Sequence, residues 1–389
     1  MNIFVLNCGS SSIKFQLISM PEETVLVKGL VDGIAAAETF LLLEFGSLNK
    51  KIVLAAVDHA QALATIFKHL QQLGFDQKNI QIFGHRVVHG GELYRQPVRV
   101  TTEILKEIEA LSDLAPLHNP ANAAGIKACQ QFAPNIANAA VFDTAFHQTL
   151  PPKAYLYGLP YELYEKFKIR KYGFHGISHQ YVVSEAGKIL CENVKDFKII
   201  SCHLGNGASV CAIEKGKSVE ISMGFTPLEG LMMGTRAGSF DPEIILYLER
   251  KGYALADIEN MMQKQGGLQG ISQSSFDVRD LRQEELLGNP KSELAFEMFV
   301  YRVQRFIGSY AAVLGGLDVL IFTGGAGEKA YYLRRRICSQ FGYLGLKLDM
   351  RKNRANEKII SSENSSVTTL VIPTNEELQI AREIYSLMK

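Results

Sequence analysis

One pattern occurs twice in this chain of 389 residues, and it limits the fold more than any other feature. The first copy starts with apolar Ile3-Phe4-Val5-Leu6, passes through the turn Asn7-Cys8-Gly9-Ser10-Ser11-Ser12, and continues with Ile13, Phe15 and Leu17 alternating with Lys14 and Gln16. A continuous apolar run followed by a period of two reads as a buried strand turning into its neighbour. A second hairpin, Pro21-Glu22-Glu23, leads to a third strand from Thr24 to Leu30. The second copy runs from Lys198 through Ile199-Ile200-Ser201-Cys202, turns at His203-Leu204-Gly205-Asn206-Gly207, and returns through Ala208 to Ile213. Its own hairpin, Glu214-Lys215-Gly216-Lys217, precedes a third strand from Ser218 to Met223. Glycine and small hydroxyl residues between two strands can hold a phosphate on N–H and O–H donors. Each copy alone is equally well an ordinary polar hairpin. Together they predict two related domains, each presenting such a turn to a shared cleft.

The length agrees, because 389 residues exceed what one ordinary core accommodates. A formal net charge of +1 gives no electrostatic case for nucleic acid or for an anionic membrane as partner. No apolar run approaches the length of a bilayer span. Cys8, Cys129, Cys191, Cys202, Cys211 and Cys338 show no C-x-x-C spacing and read as free thiols in a reducing compartment. Met1 leads directly into a strand with no basic segment, which predicts no signal peptide and a cytoplasmic protein.

Further along, Asp58 should cap a helix to Leu73, with Leu63, Ile66, Phe67, Leu70 and Leu73 on one face. A strand at Ile80 to Phe83 should end in the loop Gly84-His85-Arg86-Val87-Val88-His89-Gly90-Gly91-Glu92, whose basic residues suit a ligand site. Thr102 to Leu111 reads as a helix, and Pro116-Leu117-His118-Asn119-Pro120 as the start of another through Lys127. Asp143 follows the apolar strand Ala139 to Phe142, the position where α/β proteins keep catalytic or metal-shell acids. Leu150-Pro151-Pro152 reads as a domain boundary. His175 and His179 stand four apart, but no H-E-x-x-H glutamate accompanies them, so a hydrogen-bonding histidine fits better than zinc. Arg236 lies alone among small residues, just before a helix opened by Asp241-Pro242, and suits an anion. Asp277 and Arg279 read equally as a solvated ion pair. A strand through Phe322 runs into Thr323-Gly324-Gly325-Ala326-Gly327-Glu328-Lys329, a nucleotide-type turn that is neither a Walker A loop nor a good dinucleotide fingerprint. Near the C-terminus, Thr374 and Glu377 have capping-box spacing, which leaves Glu376 without a structural task.

In order along the chain, NCGSSSIK, GHRVVHGGE, PLHNP, FDTAFH, YGFHGISH, HLGNGASV, MGTRAG, FTGGAGE and PTNEEL resemble the acetate kinase family, essentially end to end. The resemblance implies an α/β fold of two duplicated actin-like (ribonuclease H-like) domains around a central cleft. It implies a first domain of residues 1–149 plus 373–389 and a second of 150–372. It also implies Mg2+-dependent, reversible transfer of the ATP γ-phosphoryl group to acetate, with Mn2+ as an alternative ion, and a homodimer.

By motif, the resemblance puts Asn7 and Glu376 in the metal shell. Asp143, His175, Arg236 and Arg86 become the catalytic set, Asp143 as the family's catalytic acid. Arg86, Val88, Leu117, His118, Phe174 and Pro227 become the acetate pocket. The nucleotide contacts become Ser10, Ser12 and Lys14, with His203, Leu204, Gly205, Asn206 and Gly207. Asp277, Val278 and Arg279, then Gly325, Ala326, Gly327, Glu328 and Lys329, complete them. A carboxylate acceptor is already ionised at neutral pH, so no general base is required, and Asp143 is expected to orient the metal or an arginine. Valine at 88 leaves little room beyond a methyl group, which favours acetate over propionate and disfavours butyrate. Cys8, Ser239, Phe276, Ala326 and Lys329 depart from the family pattern, and Lys329 bears on base selectivity. An actin- or chaperone-like ATPase is the alternative of a different class, with no use for Arg86, His175 and Arg236 together.

Overall fold

A computed structural model describes every residue except Ser10, Ala35, Ala37, Ala56 and Leu117. The expectations for Ser10 and Leu117 therefore lie outside the described residues. The chain forms two compact units, Met1–Ala145 with Asn375–Lys389, and Phe146–Thr374. The expected boundaries, 149/150 and 372/373, lie a few residues from these. His147 belongs with the second unit because its imidazole bonds to Ser218 Oγ and to the Phe174 carbonyl.

The first unit is built on β1 (Asn2–Cys8), β2 (Ser12–Ser19), β3 (Thr24–Asp32), β4 (Thr39–Phe45), β5 (Leu48–Leu54), β6 (Ile82–Val87), β7 (Val98–Arg99) and β8 (Ala137–Phe142). Their order is β5-β4-β3-β2-β1-β6-β8-β7. β1 to β5 are successive antiparallel neighbours, whereas β6 and β8 run parallel to β1. The second unit uses β9 (Lys198–Leu204), β10 (Ala208–Glu214), β11 (Lys217–Ile221), β12 (Val319–Thr323) and β13 (Thr368–Val371) in the order β11-β10-β9-β12-β13. The block β3-β2-β1-β6-β8 therefore has the same order and strand directions as β11-β10-β9-β12-β13. The two sequence copies are the antiparallel halves of these blocks, and the fold is the duplicated actin-like one.

Helices cover the sheets where apolar stripes demand it. His59–Gln72 is capped by Asp58 in a full capping box with Gln61 and buries Leu63, Ile66, Phe67 and Leu70. Phe67 stacks on Phe132 at 3.8 Å and meets the core ring Phe4 at 5.6 Å. The C-terminal helix Glu376–Met388 returns to the first unit and packs on β1, β2, β6 and β8. Gly84 in β6 makes this approach feasible, because a Cβ there would come within 2.5 Å of Ile384 Cδ1. No described helix is long and apolar enough to cross a membrane.

Three local expectations differ from the structure. β6 extends to Val87, so His85 and Arg86 lie in the strand and not in the loop after it. His85 is buried and bonds to Asn138 Oδ1 at 2.7 Å, and burial pulls its pKa down to about 4. The helix expected to end at Lys127 continues as Asn119–Phe132. The last helix is capped by Asn375, whose side chain accepts from Leu378 N–H, so Thr374 and Glu377 form no capping box.

Candidate functional site

In the first unit the carboxyl ends of β1, β6 and β8 bring one charged cluster together, as parallel strands do at their switch points. Arg86 Nη2 donates to Asp143 Oδ2 at 2.9 Å, and Nη1 donates to Asn7 Oδ1 at 3.2 Å. Its Nε lies 3.7 Å from Glu376 Oε2. Glu377, one residue on, lies 3.9 Å from Lys14 Nζ. Burial alone would lower the Arg86 pKa, but Asp143, Glu376 and Glu377 outweigh it and the pKa is raised. Burial also raises the Glu376 carboxyl to about 7; Arg86 pulls it down, while Asp143 and Glu377 push it further up.

A divalent cation fits this cluster in one particular way. No group of three or more His, Cys, Asp or Glu able to hold a metal occurs among the described residues. The amide oxygen of Asn7 and the carboxylate of Glu376 do not make a closed cage. They suit a hard ion that keeps waters and rides on substrate phosphates. A bound cation would offset the burial that raises Glu376 and the repulsion from Asp143 and Glu377 that adds to it.

The loop after β6 is held by two buried amides that the sequence reading missed. Asn122 Oδ1 accepts Val88 N–H at 3.0 Å, and its Nδ2 donates to the Cys8 carbonyl at 2.7 Å. Asn119 Oδ1 accepts His89 N–H, and its Nδ2 donates to the carbonyls of His89 and Ile108. Both amides project from the helix that begins after His118, at a spacing of three that puts them on one face. Val88 is thereby fixed with 5% of its surface exposed. His118 occupies the N-cap position and makes no capping bond. Ser12 opens β2, and its carbonyl accepts Gly9 N–H.

In the second unit His175 takes a left-handed backbone, φ 57°, at the N-cap of the helix Gly176–Leu190. A non-glycine residue in that region is strained and is held there by its surroundings. Its Nδ1 lies 2.9 Å from Ser209 Oγ, and its ring stacks on His203 at 4.2 Å. A Cβ on Gly207 would stand 3.4 Å from His175 Nε2 and 3.6 Å from Arg236 Nη1, so both groups face the glycine turn. Arg236 has no carboxylate partner among the described residues, and burial lowers its pKa. An imidazole and an unbalanced guanidinium beside a glycine turn make a site for an anion. Phe174 is buried next to His175, and Pro227 lies in the loop after β11.

The same unit contains a cavity of about 610 Å3 lined by Gly205, Asn206, Asp277, Val278, Arg279, Gly325, Ala326 and Lys329. Three separate stretches singled out for nucleotide binding thus meet around one space, of a size that suits a small ligand. Asp277 caps the helix Val278–Leu286 and holds Arg279 in an ion pair, so this pair is wall and not only solvated surface. Phe276, Arg282, Gln283, Ala330 and Tyr332 also line the space. Arg282 and Gln283 stand three and four residues beyond Arg279 on the same helix face, a signal that helical spacing could have supplied. The glycine-rich segment is not a loop but the short helix Gly324–Lys329. The buried guanidinium of Arg334 secures it by donating to the carbonyls of Gly327 and Glu328. Glu328 is not among the residues lining the cavity, and its side chain accepts Thr374 N–H at 3.1 Å. His203 bonds through Nδ1 to Ser178 Oγ.

Comparison with known proteins gives a consistent result. Residues 2–382 match the Acetokinase family. The chain is similar to the acetate kinase of Carboxydothermus hydrogenoformans, 48% identical with 100% of this chain and 99% of that protein covered. It is similar to the acetate kinase of Thermotoga maritima at 49% identity, covering 98% of each. Among solved structures, Porphyromonas gingivalis acetate kinase superimposes with a TM-score of 0.94 at 40% identity, over 100% of both chains. A propionate kinase from Francisella tularensis superimposes with a TM-score of 0.93 at 43% identity, over 98% of both chains.

Proposed function

This chain belongs to the acetokinase family, and from that premise we propose that it is an acetate kinase, which moves the γ-phosphoryl group of ATP to acetate and back. The observation that carries the reading is Arg236, a buried guanidinium with no carboxylate partner among the described residues, turned with His175 toward Gly207. Phosphoryl transfer is mostly positioning and charge stabilisation. Arg236 and the Nε2 side of His175 answer the charge on the equatorial oxygens of the moving group. Arg86, fixed by Asp143 and Asn7, holds the acetate carboxylate, and Val88, two residues on, faces its methyl group in this reading. Asp143 acts by holding Arg86 in place. Asn7 and Glu376 hold the divalent ion, Mg2+ in this reading, which supplies neutralising charge to the nucleotide phosphates when bound. The cavity beside Asp277, Arg279 and Lys329 takes the nucleoside.

The protein works as a homodimer in the cytoplasm. Helix Glu243–Arg250 supports the dimer, because it buries no residue in its own unit and exposes Ile244, Leu246 and Tyr247. Six free cysteines fit a reducing compartment. Neither nucleic acid nor a membrane is a partner in this reading. Coupled ADP release from Mg-ATP, compared for acetate, propionate, butyrate and no acid, tests the proposal. Release that requires acetate and falls from propionate to butyrate is expected. Acid-independent release would replace the kinase by an ATPase, and faster turnover of propionate would reassign the acyl pocket.

A further inference from the structure

Behind His175 lies a buried chain of side chains with a direction. Ser201 Oγ is 3.0 Å from His179 Nδ1, His179 Nε2 is 2.8 Å from Ser209 Oγ, and Ser209 Oγ is 2.9 Å from His175 Nδ1. Ser201, His179 and Ser209 are all fully buried. Burial, with His147 and His203 nearby, holds the His179 pKa well below its ordinary value, so this ring is neutral and carries one ring proton.

Only two arrangements of hydrogens satisfy a neutral His179. In the first, Ser201 donates to Nδ1, Nε2–H donates to Ser209, and Ser209 donates to His175 Nδ1. In the second every bond is reversed: His179 Nδ1–H donates to Ser201, Ser209 donates to His179 Nε2, and His175 Nδ1–H donates to Ser209. The second leaves the Ser201 hydroxyl hydrogen with nothing to receive it, because His179 is the one hydrogen-bond partner of that hydroxyl among the described residues. A buried donor left unsatisfied is the costly case. The first arrangement uses every proton.

We propose that Ser201, His179 and Ser209 are positioning residues that fix His175 in the tautomer with its proton on Nε2. This rests on the acetate kinase reading for its purpose and deepens the role of His175. The Nε2 side faces the Gly207 turn beside Arg236, so the relay aims a neutral N–H donor at the place where an anion is held. The ring orientation follows from the same bonds, as it does wherever the second nitrogen of a histidine is anchored. His175 thereby donates without adding a second full positive charge to that of Arg236, and its strained backbone is held from behind.

The test is a long-range 15N–1H spectrum of the histidine side chains in the substrate-free, full-length protein near neutral pH, with His175 assigned by its loss in His175→Gln. The expected pattern for His175 is Nε2 protonated and Nδ1 bare. Ser209→Thr keeps the hydroxyl and should preserve that pattern. Ser209→Ala should give a mixture of tautomers and lower kcat about 10- to 100-fold, with KM for acetate and ATP within about twofold. Ser201→Ala, two bonds removed from His175, should shift the tautomer ratio in the same direction. A wild-type His175 protonated on Nδ1, or an unchanged Nε2–H tautomer in Ser209→Ala, overturns the proposal. The spectrum needs no substrate, so it fails or succeeds independently of acetate-dependent ADP release.

Discussion

Arg86 and Arg236 are given similar tasks, yet their removal should have opposite consequences for stability. Arg86 lies 2.9 Å from the carboxylate of Asp143, whose side chain is 1% exposed. Arg86→Met takes the guanidinium away from that buried carboxylate, and breaking such a pair costs about 3–5 kcal/mol. For a unit of this size that corresponds to a fall of roughly 6–20 °C in melting temperature. Arg236 has no acidic partner among the described residues, and its burial is uncompensated. Arg236→Met removes a buried cation and keeps most of the packing volume, so stability should stay within about 1 kcal/mol of wild type or rise. Both variants should lose at least about 10²-fold in kcat/KM, because each takes away a positive group from the reacting anions. The assay is denaturant unfolding of the two ligand-free variants beside initial-rate kinetics. Equal destabilisation by the two substitutions, or a loss of 3 kcal/mol or more in Arg236→Met, would refute the reasoning.

Acid should weaken the ligand-free protein before its carboxylates titrate out. The folded pKa values of His85 and His89 are lowered to about 4 by burial, and that of His179 lies well below its ordinary value. Between about pH 6.5 and 4 the unfolded chain binds these protons and the folded chain does not, so stability falls as pH drops through that window. Glu376, raised to about 7, works in the opposite sense but is outnumbered. A denaturation midpoint that is flat or rises from pH 6.5 to 4 would contradict this. Val88→Ala should raise the propionate-to-acetate ratio of kcat/KM by roughly tenfold or more, the worth of one methylene in a closed pocket; steady-state kinetics with both acids reads it directly. Asn122→Ala orphans Val88 N–H and the Cys8 carbonyl, two buried groups at about 1–3 kcal/mol each, so urea unfolding should show a loss of roughly 2–6 kcal/mol.

Much of the architecture was legible because it rests on local pattern. The two strand–turn–strand copies, the Asp58 cap and the apolar stripe of the first helix need only near neighbours in sequence. What escaped depends on partners far along the chain. His85 looks like a loop residue until Asn138, 53 positions later on β8, is found bonded to its ring. Asn119 and Asn122 look like helix-start polarity, and their work is to hold the backbone of Val88, His89 and Cys8. Thr374 and Glu377 had the spacing of a cap, but Asn375 took that position while Thr374 bonded to Ser178 and Glu328. The cluster of Asn7, Arg86, Asp143 and Glu376 could be assembled only by resemblance. Its members come from three strand ends and a helix that returns after the whole second unit.

The central claim is that phosphoryl transfer here proceeds by positioning and charge alone, directly from nucleotide to acetate. The stereochemical course at phosphorus tests it most directly, using ATP made chiral at the γ-phosphoryl group and analysing the acetyl phosphate formed. A single in-line displacement inverts the configuration, and inversion is the predicted result. Retention would mean two displacements through a phosphorylated side chain. That outcome would make a nucleophile of a residue assigned here to binding or orientation.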